Sequence, residues 1–100
     1  MGKQLGHAPG FYITSKKGFH ITFANRWTVS VQFGPGNYCE HYDRRIAYEE
    51  EVCGKEGSMD AEVAVIDPQG DMPDLGGDTV RGRQSPAEVL QLLNEIAGKP

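Results

Sequence analysis

Hydrophobic and polar residues alternate along two consecutive stretches of the chain, which are separated by a short polar turn. A period of two over this length is typical of antiparallel strands with one buried face. The pattern therefore predicts a β-hairpin whose turn is Ala24-Asn25-Arg26, in which Asn25 tolerates a positive φ better than most residues do. The apolar positions, expected to face the core, are Phe19, Ile21, Phe23, Trp27, Val29, Val31 and Phe33. The opposite face is expected to be partly exposed and carries His20, Thr22, Thr28, Ser30 and Gln32.

Further strands are predicted on both sides of this hairpin. Residues 61–67 form a clear strand in which Val63 and Val65 share one face while Ala64 and Ile66 share the other, so both faces are expected to be partly buried. Residues 11–14 and 79–81 are expected to be short strands. Residues 71–75 are expected to return as an edge strand whose pairing is limited by Pro73.

The C-terminal segment carries the signals of a helix over residues 86–97. Ser85 is suited to the N-cap, Pro86 to the first helical position, and Glu88 to a capping box, while Gly98 is a natural C-cap. Apolar residues then recur at helical spacing, at Val89, Leu92, Leu93 and Ile96. The predicted fold is an α+β domain, a mainly antiparallel sheet of four or five strands with this helix packed on one face. Residues 1–10 are expected to be a flexible tail, and residues 11–100 the single domain.

Composition and charge narrow the class of protein. The 100 residues have a formal net charge of −4, which argues against a nucleic-acid partner. No apolar stretch is long enough to span a bilayer, and the polar N-terminus lacks the apolar region of a signal peptide, so we expect a cytoplasmic protein without membrane partners. Cys39 and Cys53 are accordingly expected to be free thiols, with a disulfide as the alternative.

Arrangements that would support catalysis or metal binding are weak. Cys39, His41 and Cys53 lack the close Cys pair typical of a zinc site, and no third group is apparent to orient a Cys39–His41 pair. Gly34-Pro35-Gly36-Asn37 is not followed by the lysine and helix of a phosphate-binding loop, which favours a structural turn. We therefore expect no enzymatic activity, catalytic residue, metal or cofactor.

Residues 38–60 are expected to form an exposed loop, with a short turn of helix as an alternative, and the predicted protein-binding surface lies in and next to this segment. Tyrosine side chains are amphipathic and asparagine side chains form hydrogen bonds, so both suit a contact surface. Clustered glutamates supply negative charge that accelerates encounter with a partner of opposite charge. The alternative for the glutamates is a solvated loop without a partner, and the alternative for the tyrosines is ordinary packing over one edge of the sheet. The predicted binding residues are Asn37, Tyr38, Tyr42, Glu49, Glu50 and Glu51.

Four segments resemble a group of short, uncharacterised proteins encoded by bacteriophages and prophages. They are residues 17–23 (KGFHITF), 27–39 (WTVSVQFGPGNYC), 61–65 (AEVAV) and 85–90 (SPAEVL). The resemblance carries no established activity, so it assigns no functional residue. It implies only a phage or prophage context inside a bacterial cell. Together with the small size, the mild acidity and the lack of a catalytic arrangement, it leads us to expect a phage accessory protein in the host cytoplasm that binds a host protein, for example to inhibit a defence or regulatory system. The alternative is a small-molecule or nucleotide-binding protein, or a minor enzyme, that uses the loop of residues 34–39.

Overall fold

The computed structural model describes residues 8–14, 18–33 and 58–100. In this part of the chain five strands form one sheet in the order β1-β2-β3-β4-β5, and each strand pairs antiparallel with the next. The C-terminal helix, α1, packs against the sheet, which confirms the predicted α+β arrangement. The elements are β1 (Gly10–Thr14), β2 (Gly18–Thr22), β3 (Thr28–Gln32), β4 (Ala61–Ile66), β5 (Val80–Gln84) and α1 (Pro86–Ala97).

The predicted hairpin is formed by β2 and β3, with Ile21 opposite Val29. Its turn is closed by two hydrogen bonds: the N–H of Phe23 donates to the carbonyl of Trp27 over 2.9 Å, and the N–H of Arg26 donates to the carbonyl of Phe23 over 2.8 Å. This is a three-residue loop whose last residue is left-handed. The positive φ of this turn belongs to Arg26, at 72°, and not to Asn25, whose residue type tolerates it better.

The core lies between α1 and one face of the sheet. Val29, Val31, Val63 and Val65 are at most 5% exposed, and the helix buries Leu92 and Ile96 against them. The remaining apolar residues of the hairpin and of the helix stripe pack around this cluster and are partly buried. The predicted core face of the hairpin is thus confirmed.

Helix α1 begins and ends where its capping residues predict. The side chain of Ser85 accepts a hydrogen bond from the N–H of Glu88 over 3.2 Å, and the Glu88 carboxylate accepts one from the N–H of Ser85 over 2.8 Å. Each satisfies an N–H that the helix geometry leaves unpaired. At the other end the N–H of Gly98 donates to the carbonyl of Asn94 over 3.2 Å.

The second face of the sheet is buried at its centre, so the prediction of a partly exposed face is wrong for Thr22, Thr28 and Ser30. Burial is tolerated because these hydroxyl groups have partners. The hydroxyls of Thr22 and Thr28 lie 2.7 Å apart, and Ser30 accepts a hydrogen bond from Gln32 over 3.2 Å. Alternation in the sequence separates the two faces of the sheet, but it does not say which face is covered.

The connection between β4 and β5 differs from its prediction. Residues 71–75 contain no strand, and β5 runs over Val80–Gln84 and not over 79–81. Side chains organise this connection: Asp67 accepts hydrogen bonds from the N–H groups of Gln69 and Asp71, and Asp74 organises the turn that follows. Aspartate favours turns in this way, in competition with strand pairing.

Candidate protein-binding surface

An apolar groove opens beside the first half of helix α1. Its volume is about 300 Å³, and it lies between the helix, strands β2 and β3, and the residues that lead into β4. We call it the α1 groove. Most of its walls are aliphatic, aromatic or methionine side chains: Phe19, Val31, Phe33, Met59, Ala61, Pro86, Val89, Leu90 and Leu93.

The groove follows from how α1 uses its apolar residues. The helix fully buries Leu92 and Ile96, which lie in its second half, whereas Val89 and Leu93 are only partly buried. Leu90 is 58% exposed, and Met59 is 76% exposed on the other side of the opening. Large apolar side chains at the rim of a concave apolar surface are typical of a binding site.

Polar groups are few in the groove, and none of them is basic. Its described lining contains Ser58, Asp60 and Gln84, and no lysine, arginine or histidine. The hydroxyl of Ser58 is occupied, because it donates to the carbonyl of Asp60 over 2.6 Å. Such a surface suits an apolar side chain, whereas its described lining offers no cation to a phosphate group.

The apolar surface continues from the groove to the edge of the sheet. Ile13 on strand β1 is the cross-strand neighbour of Phe19, which lines the groove. Ile13 is 80% exposed, and Phe11, two residues earlier on the same face, is 76% exposed. Because directly opposed residues of paired strands share a face, these two side chains lie on the same side of the sheet as α1.

The six binding residues predicted from the sequence lie outside the described residues. The same is true of Cys39, His41, Cys53 and the loop of residues 34–39. These predictions remain untested. Within the described part of the chain, no group of three or more His, Cys, Asp or Glu side chains is placed to hold a metal ion.

Sequence reasoning overlooked the residues that form the exposed apolar surface. Leu90 is next to the helix stripe and three residues before Leu93, so it widens the apolar face beyond what the core requires. Phe11 and Ile13 alternate with Tyr12 along strand β1, which the structure places at one edge of the described sheet. Both signals are visible in the sequence.

Helix α1 has 12 residues, and no helix in the described ranges is long and apolar enough to cross a membrane.

Comparison with known proteins gives no match: no protein-family model, no curated protein and no solved structure matches the chain. Function is therefore inferred from the described surfaces and from the sequence.

Proposed function

We propose that the chain is a non-catalytic bacteriophage accessory protein that binds a host protein, and that the α1 groove receives an apolar segment of that partner. The observation that supports binding is the groove itself, an apolar concavity of about 300 Å³ with Leu90 and Met59 exposed at its rim. The phage and host terms of the proposal are supported only by the sequence resemblance. The groove has the size of a site for one or two large side chains.

The charge in the described lining of the groove favours a partner segment with basic flanks. Asp60 is the charged residue of that lining, whereas Glu88 and Glu95 lie with Arg81 around a separate depression beside α1. The whole chain carries a net charge of −4. An apolar anchor supplies most of the affinity in such a contact, and opposite charge at the rim mainly accelerates association.

A pair of helix variants tests the groove. Leu90→Lys places a charge at the rim, whereas Gln91→Lys places the same charge on the next residue, which is exposed but does not line the groove. Each variant and the wild type would be used to capture proteins from a bacterial lysate. The captured protein would then be purified, and its Kd measured against all three.

We expect Leu90→Lys to raise the Kd by at least about tenfold, and Gln91→Lys to change it little. Wild-type affinity in Leu90→Lys would remove the groove from the proposal. Binding would then be assigned to the predicted surface of Asn37, Tyr38 and Tyr42, tested by Tyr38→Ala. Loss of affinity in both lysine variants would indicate a general effect of charge and would also contradict a groove contact.

The alternative function, small-molecule or nucleotide binding, has a separate test. A ligand that binds the folded state raises the melting temperature in proportion to the logarithm of its concentration over its Kd. A thermal-shift series with nucleotides and divalent metal ions should leave the wild-type melting temperature unchanged. A concentration-dependent rise with one nucleotide would replace protein binding by this second function.

A further inference from the structure

Strand β1 is an edge of the sheet, and its outer side has the chemistry of a pairing surface. It has no charged residue, and both of its large apolar side chains on the helix side, Phe11 and Ile13, are exposed. Exposed edges of natural sheets are usually protected by charge, a bulge or proline in the strand, by a very short strand, or by a covering helix or loop. The five residues Gly10–Thr14 contain no charge, no proline and no bulge.

The opposite edge, β5, is blocked. It exposes Arg81 and Arg83, and its register against β4 is shifted between Ala61 and Val63. Arg83 has a φ of 56°, so the strand is bent out of regular geometry at this point. The contrast makes β1 the edge that can accept another strand.

The hydrogen-bond pattern shows which main-chain groups of β1 point outward. The N–H of Phe23 donates to the carbonyl of Trp27, so the main chain of Phe23 bonds to the β3 side. Along an antiparallel strand, successive residues bond alternately to the strand on one side and to the strand on the other. His20 therefore bonds toward β1, where it is opposite Tyr12. It follows that the main-chain N–H and C=O of Tyr12 bond to β2, whereas those of Phe11 and Ile13 point outward from the edge of the sheet.

We propose that β1 pairs with β1 of a second copy of this chain, antiparallel and centred on Tyr12. This register pairs all five residues of the strand. Phe11 of each copy is then opposite Ile13 of the other, and each of these two pairs exchanges two main-chain hydrogen bonds. The contact is self-complementary: apolar side chains meet apolar side chains on the helix side, and no like charges within the strand are brought together.

The result is one sheet that runs continuously through both copies, with both α1 helices on the same side. The strand is short, so the contact area is small compared with the roughly 1,200–2,000 Å² of a stable interface. We therefore expect a dimer that dissociates on dilution. A different occupant of this edge, an extended segment of another protein, would leave the purified chain monomeric.

The mass in solution tests the dimer. Sedimentation equilibrium of the full chain, from micromolar to millimolar concentration, should show a monomer–dimer equilibrium. Ile13→Lys should raise the dimer Kd by at least about tenfold, because a charge replaces an apolar contact that occurs twice in the interface. Ile13→Thr keeps a residue with high β-propensity, adds no charge, and should also weaken the dimer. This second variant keeps the test valid if Ile13→Lys does not fold. Gln91→Lys, with the same charge on an exposed helix position outside the groove, is the control and should dimerise like the wild type.

Cysteine cross-linking tests the register. In a background with Cys39→Ser and Cys53→Ser, Tyr12→Cys would face its own copy across the axis, within reach of a disulfide. Ile13→Cys would face its copy only diagonally, about 7–8 Å away, which is too far. Oxidation should link Tyr12→Cys much faster than Ile13→Cys. A monomer at all concentrations, a dimer unaffected by both Ile13 variants, or equal cross-linking at the two positions would each overturn the proposal.

Discussion

The side chain of Asn25, in the turn between β2 and β3, donates a hydrogen bond to the main-chain carbonyl of Ile96 in α1 over 2.9 Å, across 71 residues of sequence. The same amide nitrogen donates to the carbonyl of Lys99 over 2.9 Å, and its oxygen accepts the N–H of Trp27 over 3.0 Å. The last carbonyls of a helix have no partner within it. The Ile96 carbonyl also accepts the N–H of Lys99 over 3.2 Å, and Asn25 adds a second donor from the hairpin, which fixes the end of α1 to it.

Asn25→Asp should destabilise the fold by about 1–3 kcal/mol, because the carboxylate removes both donated bonds and places negative charge at the negative end of the helix. Asn94→Asp is the matched control, since it adds the same charge on an exposed position near the same helix end. It should cost no more than about 1 kcal/mol. Urea unfolding measures both changes, and equal losses would show that charge alone, without the bond to Ile96, explains the effect.

The hydrogen bonds that Asp74 accepts in the connection between β4 and β5 should depend on pH. Its carboxylate accepts hydrogen bonds from the N–H groups of Gly77 and Gly76, over 2.5 and 2.7 Å, and these bonds lower its pKa below the ordinary value of 3.8. The bonds are therefore complete above pH 3.8 and are lost as the pH falls through the lowered pKa of the folded protein.

An NMR titration of the amide protons of Gly76 and Gly77 measures this transition. Both should move together with a midpoint below 3.8 in the wild type. Asp74→Asn keeps an oxygen that accepts hydrogen bonds but does not titrate, so the shared transition should disappear. A midpoint above 3.8 would contradict the bonding that the structure assigns to Asp74.

Features set by neighbours in sequence could be predicted. The capping box of Ser85 and Glu88 is local, so the bounds of α1 follow directly from the residues at its ends. The alternation around the hairpin likewise identifies Val29 and Val31 as core residues, because strand geometry alone separates the two faces.

Features set by contacts between distant parts of the chain could not be predicted from the sequence. The left-handed residue of the turn is Arg26, the last of the loop, and the Asn25 side chain is engaged with a helix end that the local sequence does not reveal. The α1 groove depends on which half of the helix lies closest to the sheet, and no periodicity encodes that choice. The burial of Thr28 also depends on what lies over its face.

Gly18 should be intolerant of any side chain. It lies on β2 between Thr14 and Gln32, whose side chains are hydrogen-bonded across it over 2.6 Å. A Cβ atom at this position would collide with the main-chain carbonyl of Val31. Since that carbonyl belongs to the central strand, Gly18→Ala should cost about 1–3 kcal/mol.

Gly98→Ala is the matched control for this change. A Cβ there would come no closer than 3.4 Å to another atom, and the φ of −87° is ordinary for alanine. The control should alter the free energy of unfolding by no more than about 0.5 kcal/mol. The collision would be disproved if the two glycine variants had the same melting temperature.

The paired hydroxyls of Thr22 and Thr28 should behave as one unit. The two oxygens are 2.7 Å apart, and the residues are 3% and 1% exposed. Thr28→Val removes one member and leaves a buried hydroxyl without this partner, which should cost about 1–3 kcal/mol. Thr22→Val should have a similar cost for the same reason.

The double variant removes both polar groups at nearly constant volume, so its cost should be well below the sum of the two single changes. A double-mutant cycle measured by urea unfolding gives the coupling directly, and additive losses would mean that the hydroxyls do not depend on each other.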